Sequence, residues 1–195
     1  MNITPVLNNN IKFYTTAELK NRSVSYYKLQ KLVAAGKLSK LSPRVYENTE
    51  YSGEESDFAF APIFIPNGVV CLLSAAIHYN LTTCRPTKIN IAIERSCKPS
   101  TLPQWPPIGI TYFSKKRFET GKSSASIGNL EFAIYDIEKT VIDIIYYRNK
   151  IGIEETREIL KNYLSRPDRN LNTLYRYAAQ LNCAKILNTY LEVLL

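Results

Sequence analysis

The fold of the N-terminal region is decided by the stretch Thr15-Thr-Ala-Glu-Leu-Lys-Asn-Arg-Ser-Val-Ser-Tyr-Tyr-Lys-Leu-Gln-Lys-Leu-Val-Ala-Ala-Gly36. Thr15 and Glu18 have the spacing of a capping box, in which each side chain accepts a hydrogen bond from the other residue's backbone amide. This pattern predicts a short helix over 16–21, followed by a turn over 21–23. A second helix is predicted over 24–35, with Ser23 or Ser25 as its N-cap and Gly36 at its end.

The second predicted helix has two different faces. Tyr26, Leu29, Leu32 and Val33 recur at helical spacing, so we expect this apolar face to pack on the first helix. The opposite face carries Tyr27, Lys28 and Lys31. A helix fits the major groove of DNA, and this polar face is free to enter it.

A basic hairpin is predicted after Gly36, in Lys37-Leu-Ser-Lys-Leu-Ser-Pro-Arg-Val-Tyr46. Strands are expected over 38–41 and 45–46, joined by a turn over 42–44. Helix, turn, basic helix and basic hairpin together predict a winged helix-turn-helix over residues 1–50. The alternative is a small helical cap on the larger domain. The candidate DNA-contacting residues are Thr16, Ser25, Tyr27, Lys28, Lys31, Lys37, Lys40 and Arg44.

The charge distribution also favours a polyanion as partner of this region. The whole chain carries +8, but residues 1–46 hold eight basic side chains and one acidic side chain. Residues 47–62 hold five acidic side chains and no basic one. A concentrated positive charge is typical of nucleic-acid-binding modules. A solvated, lysine-rich surface would have the same composition, so charge alone leaves both interpretations open.

The remainder of the chain predicts an acidic linker and a second domain. We interpret 51–62 as the linker and 63–195 as a C-terminal domain with a small sheet followed by helices, which makes the protein α+β. Strands are expected over 88–93, 108–113 and 130–135. Helices are expected over 67–81, 137–148, 153–164, 171–181 and 184–194.

Several classes of function lack their usual signals. No apolar run is long enough for a membrane span, and the first ten residues do not resemble a signal peptide, so we expect a cytoplasmic protein. Four dispersed cysteines and one histidine do not predict a metal site, and no cofactor motif is present. His78 is interpreted as a packing residue. Lys139 and Asp143 are interpreted as an ordinary surface pair, and we expect the protein not to be an enzyme.

A second basic cluster lies at the end of the strand predicted over 108–113. It consists of Lys115, Lys116 and Arg117. Such a run is usually solvated, but it could also extend a phosphate-contacting surface or meet an acidic protein partner.

Together, these segments resemble the AbiEi-type antitoxins over about residues 12–195. In the N-terminal part the resemblance rests on Phe13-Tyr-Thr-Thr-Ala-Glu-Leu19, Tyr27-Lys-Leu-Gln-Lys-Leu-Val33, Gly36-Lys-Leu38 and Arg44-Val-Tyr46. In the C-terminal part it rests on Leu73-Ser-Ala-Ala-Ile-His78, Tyr135-Asp-Ile-Glu-Lys-Thr-Val-Ile-Asp143, Tyr147-Arg-Asn-Lys-Ile-Gly152, Ala178 with Leu181, and Tyr190-Leu-Glu192. The chain departs from the family pattern at Pro43 and Arg44, where Arg-Gly usually precedes Val-Tyr.

The resemblance implies an antitoxin of a type IV toxin–antitoxin system that acts in abortive infection, a form of phage defence. Such antitoxins repress their own operon by binding inverted repeats in double-stranded DNA with the winged helix. The C-terminal domain counteracts a nucleotidyltransferase-like toxin, usually without a stable complex. The alternative is a protein-interaction module that neutralises its partner directly and does not bind a specific DNA sequence.

Overall fold

The computed structural model describes residues 7–53, 58, 64–99, 102–103, 105–127 and 130–194. The chain divides into two compact units, residues 1–56 with 126–130, and residues 57–125 with 131–195. Most of the predicted linker over 51–62 lies outside the described residues. The protein is α+β, as predicted. Within the described part of the chain, no helix is both long and apolar enough to cross a membrane.

The N-terminal unit contains three strands and two helices. In chain order these are β1 (Phe13–Thr15), α1 (Thr16–Asn21), α2 (Tyr26–Ala34), β2 (Leu38–Ser42) and β3 (Val45–Asn48). The strands form an antiparallel sheet in the order β1-β3-β2. The prediction of α1, α2 and the hairpin is confirmed, whereas the first strand was not predicted.

The caps of α1 and α2 follow the sequence signals. The Thr15 hydroxyl accepts from the amide of Glu18 at 3.2 Å, and the Glu18 carboxylate accepts from the amide of Thr15 at 2.7 Å. Ser25 caps α2 by accepting from the amide of Lys28 at 3.3 Å. Gly36 follows α2 with a φ of +70°, a conformation that costs glycine little.

A small core holds the N-terminal unit together. Its buried side chains are Leu7, Tyr14, Leu19, Val24, Leu29, Leu38 and Tyr46. Leu7 reaches this core from a segment without regular structure. The Tyr14 hydroxyl accepts from the amide of Asn8 at 2.7 Å, and the Asn48 amide donates to the carbonyls of Asn8 and Ile11, both at 3.1 Å. Residues 7–11 therefore cover the core in an irregular conformation, without a helix.

A five-stranded mixed sheet lies in the C-terminal unit, apart from residues 126–127 and 130 at the ends of two strands, which belong to the N-terminal unit. The strands are β4 (Val69–Val70), β5 (Ile89–Glu94), β6 (Ile108–Phe113), β7 (Lys122–Ile127) and β8 (Leu130–Tyr135), in the order β6-β5-β4-β8-β7. β4 pairs with β5 antiparallel and with β8 parallel, while β5 and β6 are parallel. The small sheet was predicted, but β4 and β7 were not.

Helices supply the rest of the C-terminal unit. They are α3 (Leu72–His78), α4 (Lys115–Glu119), α5 (Ile137–Tyr146), α6 (Arg148–Ile151), α7 (Ile153–Leu164), α8 (Leu171–Gln180) and α9 (Ala184–Leu194). Asp136 caps α5 by accepting a hydrogen bond from the amide of Lys139 at 2.7 Å. α5 is the central helix, since all of its residues from Glu138 to Ile145 are buried. The prediction of a helix over 67–81 is wrong at its start, because residues 69–70 form β4 and the helix α3 begins at Leu72.

The single histidine packs against aromatic rings, and the four cysteines differ in their exposure. His78 packs edge to face against Phe132 and Tyr79, with ring centroids 5.7 Å and 5.1 Å apart. Burial lowers the pKa of His78. Cys71 and Cys183 are buried thiols, Cys84 is half-buried and Cys97 is exposed. Among the described residues, no group of histidine, cysteine and acidic side chains is arranged to hold a metal ion.

Candidate nucleic-acid interface

The exposed face of α2 carries aromatic and basic side chains next to each other. Tyr26 is 75% exposed and Tyr27 is 69% exposed, which are high values for large aromatic residues. Lys28 and Lys31 are exposed as well. No acidic residue occurs in α2. This face therefore presents donors, cations and flat rings, all of which suit contacts with DNA.

The position of Tyr26 differs from the prediction. Tyr26 was expected to share the inward face with Leu29, but only Leu29 is buried and Leu32 and Val33 are half-buried. Tyr26 occupies the first position of α2, and its side chain is exposed although Val24, two residues earlier, is buried in the core. Tyr26 is thus a candidate contact residue that periodicity assigned to the wrong face. Its place directly after the N-cap Ser25 is the local signal that could have identified it.

Tyr27 and Lys31 form a pair on this face. They are four residues apart, and the Lys31 ammonium lies 4.7 Å from the centroid of the Tyr27 ring. A cation over an aromatic face is attracted to it, and exposed examples contribute about 0.5–1 kcal/mol. The pair holds the Lys31 charge near the exposed ring.

The predicted polar contact residues Thr16 and Ser25 lie at the N-termini of α1 and α2, respectively. Ser25 is exposed at the start of α2, with its hydroxyl bound to the Lys28 amide. Thr16 is half-buried, and its amide donates to the carbonyl of Arg44 at 2.9 Å. This bond joins the start of α1 to the turn of the hairpin. Thr16 and Arg44 therefore lie close together.

The hairpin carries the other predicted basic residues. Lys40 is exposed opposite Tyr46, and the pairing is irregular between Lys40 and Ser42. Pro43 and Arg44 are exposed at the turn. Lys37 differs from these residues, because its ammonium lies 3.3 Å from the Glu50 carboxylate. Lys40 and Arg44 are consequently the basic side chains of the hairpin with no ion pair among the described residues.

Among residues 7–53 of this unit, basic side chains outnumber acidic ones. Residues 7–53 hold eight basic and three acidic side chains. Glu18 is bound in the capping box and Glu50 is paired with Lys37. Lys12 is buried next to Phe13 and Tyr51, so it does not contribute to the exposed charge. The remaining positive potential is available to an anionic partner.

The second basic cluster differs from the prediction. Lys115, Lys116 and Arg117 follow the strand β6, as expected, and lie in the helix α4, which is capped by Ser114. Lys115 and Lys116 are exposed, but Arg117 is buried and its guanidinium lies 2.5 Å from the Asp143 carboxylate. The expectation that Arg117 contacts phosphate or an acidic partner is therefore wrong, because its charge is engaged inside the C-terminal unit.

Lys139 and Asp143 complete a buried charge cluster with Arg117. Both side chains are fully buried, and the Lys139 ammonium is ion-paired with the Asp143 carboxylate. The prediction of a surface pair is wrong. Burial lowers the pKa of Lys139, while the Asp143 carboxylate acts in the opposite direction. The Lys139 ammonium also lies 4.1 Å from the centroid of the Tyr135 ring. The cluster ties α4 to α5 in the core.

Comparisons with known proteins concern the fold alone. No family model matches the chain, and no curated protein matches it. Among solved structures, the chain is similar to the crystal structure of the RV2827C protein from Mycobacterium tuberculosis, with a TM-score of 0.51 and 11% sequence identity. The match covers 94% of this chain and 76% of that chain. The two proteins share a fold over nearly all of this chain.

Proposed function

We propose that this chain is a DNA-binding antitoxin whose N-terminal unit is a winged helix-turn-helix. The order of strand, two helices and hairpin, with β1 paired to the hairpin, supports this interpretation. In a helix-turn-helix the second helix lies in the major groove and the first crosses the backbone. α2 is then the recognition helix, and β2 with β3 forms the wing.

The observation that carries the proposal is the acid-free exposed face of α2. Tyr26, Tyr27, Lys28 and Lys31 present aromatic and cationic groups on one short helix. Lysine contacts with phosphates supply affinity that does not depend on sequence, whereas side chains at base edges supply specificity. Residues at the start of a recognition helix contact bases in many such proteins, and Tyr26 and Tyr27 occupy this position in α2.

The hairpin supports the same interface from a second element. The Thr16 amide bonds to the Arg44 carbonyl, so the wing turn lies against the start of α1. Lys40 and Arg44 then contact phosphates beside the groove. We include Ser25 because the N-terminus of a helix favours phosphate, and Ser25 is exposed at the start of α2. Thr16 is included for its position beside Arg44 at the wing turn, since its own amide is bound to the Arg44 carbonyl. Lys37 contributes less, since Glu50 neutralises it.

The antitoxin part of the proposal rests on the resemblance to AbiEi-type antitoxins. On this basis the chain represses its own operon through inverted repeats, and its C-terminal unit counteracts a nucleotidyltransferase-like toxin. The protein acts in the cytoplasm and is not an enzyme. The second candidate function is direct neutralisation of a protein partner. Exposed Tyr26 and Tyr27 favour it as well, because tyrosine is enriched at protein interfaces.

A paired set of variants tests the DNA interface. The full chain is titrated onto a labelled duplex taken from the DNA upstream of its own coding sequence. K28A/K31A removes two charges from α2, and K161A/K185A removes two exposed charges from the C-terminal unit as the matched control. We expect the first variant to bind more weakly and to reduce the slope of log K against log salt by about one unit for each phosphate contact that is removed. Equal affinities of the two variants would contradict the assignment of α2.

Expression together with the neighbouring toxin gene separates the two candidate functions. If the chain is a repressor and antitoxin, K28A/K31A relieves repression of a promoter reporter but retains rescue from the toxin. If the α2 face neutralises a protein partner directly, the same variant loses rescue. Loss of rescue together with unchanged DNA binding would establish the second function in place of the first.

A further inference from the structure

The C-terminal unit holds a cavity of about 410 Å³ beside the carboxyl ends of β5 and β6. Arg95 follows β5 directly, and Tyr112 is near the end of β6; both line this cavity. Ligands of open α/β sheets bind outside the carboxyl ends of parallel strands. Small-molecule sites have volumes of roughly 300–1,000 Å³. The location and the size of the cavity therefore suit a small ligand.

Three tyrosines form an aromatic lining. Tyr112 is 45% exposed and Tyr146 is 46% exposed, while Tyr147 is half-buried and packs against the core. The Tyr147 ring is stacked on the buried Phe113 ring at 5.9 Å and meets the Tyr146 ring edge to face at 4.9 Å. The Arg117 guanidinium lies 3.8 Å from the centroid of the Tyr146 ring. Packing thus fixes two of the rings before a ligand binds, which lowers the entropy cost of stacking.

The same cavity has a cationic lining with no acidic residue. Arg95 and Lys150 are exposed side chains of this lining. Within the described part of the chain, neither of them is ion-paired with a carboxylate. The Lys150 ammonium lies 5.8 Å from the centroid of the Tyr147 ring, so the charge is beside the aromatic lining. A guanidinium and an ammonium with no competing carboxylate suit phosphate oxygens.

Leu72 gives independent support for a ligand at this location. It lines the cavity at the start of α3 with a φ of +48°. A leucine rarely adopts this left-handed conformation, and such backbone conformations cluster at ligand sites.

We propose that this cavity binds a nucleotide, with the base stacked on the tyrosines and the phosphates held by Arg95 and Lys150. The site is assigned to the C-terminal unit and does not depend on the DNA-binding proposal. Two sources share this chemistry, a free mononucleotide and the phosphorylated end of a single strand. The ligand binds without any covalent step.

Isothermal titration of the full chain tests the proposal. The probes are ATP, GTP, CTP and UTP, a 5′-phosphorylated single-stranded tetranucleotide, inorganic tripolyphosphate and adenosine. We expect at least one nucleotide probe to bind, and R95Q and K150Q each to weaken its binding about tenfold. We expect Y112L to weaken the binding of nucleotides and to leave the binding of tripolyphosphate unchanged, because tripolyphosphate has no base to stack on the ring. The matched controls are K185Q and Y175L, because Lys185 is also exposed and Tyr175 is 46% exposed in α8.

The outcomes separate the two ligand sources and the two proposals. Tighter binding of the tetranucleotide identifies a strand end as the ligand, and tighter binding of a triphosphate identifies a free mononucleotide. If K28A/K31A binds the nucleotide as wild type does, the nucleotide site is separate from the α2 interface. This conclusion holds even if the protein does not bind the upstream DNA. The proposal is overturned if no nucleotide probe binds at millimolar concentration, or if R95Q and K150Q bind the nucleotide as wild type does.

Discussion

Tyr26 and Tyr27 are exposed aromatic residues that contribute little to the fold. Both lie in the first turn of α2, and neither belongs to the small core. We therefore expect Y26A to change the free energy of unfolding by no more than about 0.5 kcal/mol. Y27A also removes the contact with Lys31, so we expect it to cost no more than about 1 kcal/mol. Binding to the upstream duplex should fall by roughly 1–3 kcal/mol wherever a base contact is lost. Urea unfolding and fluorescence anisotropy measure the two quantities. Strong destabilisation with unchanged DNA affinity would make these tyrosines structural.

Asp143 holds two buried cations. Arg117 and Lys139 both pair with its carboxylate inside the C-terminal unit. D143N removes the negative charge and leaves both cations buried without a counter-charge, so we expect a loss of about 3–5 kcal/mol in the free energy of unfolding. K139M removes the Lys139 ammonium and leaves Asp143 paired with Arg117, so we expect a smaller loss in the free energy of unfolding. Urea denaturation of both variants gives the comparison. A D143N variant as stable as wild type would show that the cluster does not stabilise the fold.

This cluster also marks where sequence reasoning failed at the residue scale. Lys139 and Asp143 are four residues apart, a spacing typical of pairs on an exposed helix face. Both residues are nevertheless buried in the central helix α5, and Asp143 also pairs with Arg117, which is 26 residues away from it along the chain and lies in a different helix. Local spacing carries no information about that partner. Tyr26 was assigned to the wrong face because its spacing from Leu29 is helical, and this spacing does not show that the first residue of α2 is exposed.

At the scale of elements, the hairpin is expected to contribute mainly phosphate contacts. Lys40 is exposed on β2, and no ion pair engages it among the described residues. In a titration at several salt concentrations, log K should fall linearly with log salt, with a slope of about −0.9 for each phosphate contacted. K40A should reduce the size of that slope by about one unit. K185A serves as the control. An unchanged slope and affinity for K40A would exclude the wing from the interface.

Elements with a strong local sequence pattern were predicted, whereas several short strands without such a pattern were not. α5, α7, α8 and α9 show helical periodicity over ten or more residues, and their predicted bounds agree with the structure to within about two residues. β1 and β4 have three and two residues, which is too short to display alternation. They are strands because distant segments pair with them. β7 reads Lys-Ser-Ser-Ala-Ser-Ile at the edge of the sheet, where an apolar pattern is not required.

At the scale of the whole molecule, the chain consists of two compact units, each with its own core. We propose a division of labour in which the N-terminal unit binds DNA and the C-terminal unit counteracts the toxin. Residues 63–195 expressed alone should therefore fold cooperatively and retain some rescue of cells from the toxin. Residues 1–60 alone should bind DNA more weakly than the full chain. If the C-terminal fragment unfolds cooperatively but gives no rescue, antitoxicity requires the N-terminal unit.

If this protein binds a specific DNA sequence, its affinities for two duplexes of different sequence must differ. The full chain is titrated onto the duplex upstream of its coding sequence and onto a scrambled duplex of equal length, at about 0.15 M salt, where screening limits non-specific attraction. Specific DNA-binding proteins prefer their site by a factor of about 10³ or more. We expect a ratio of that order, with K28A/K31A binding both duplexes weakly. Equal affinity of the wild-type protein for the two duplexes would contradict the account.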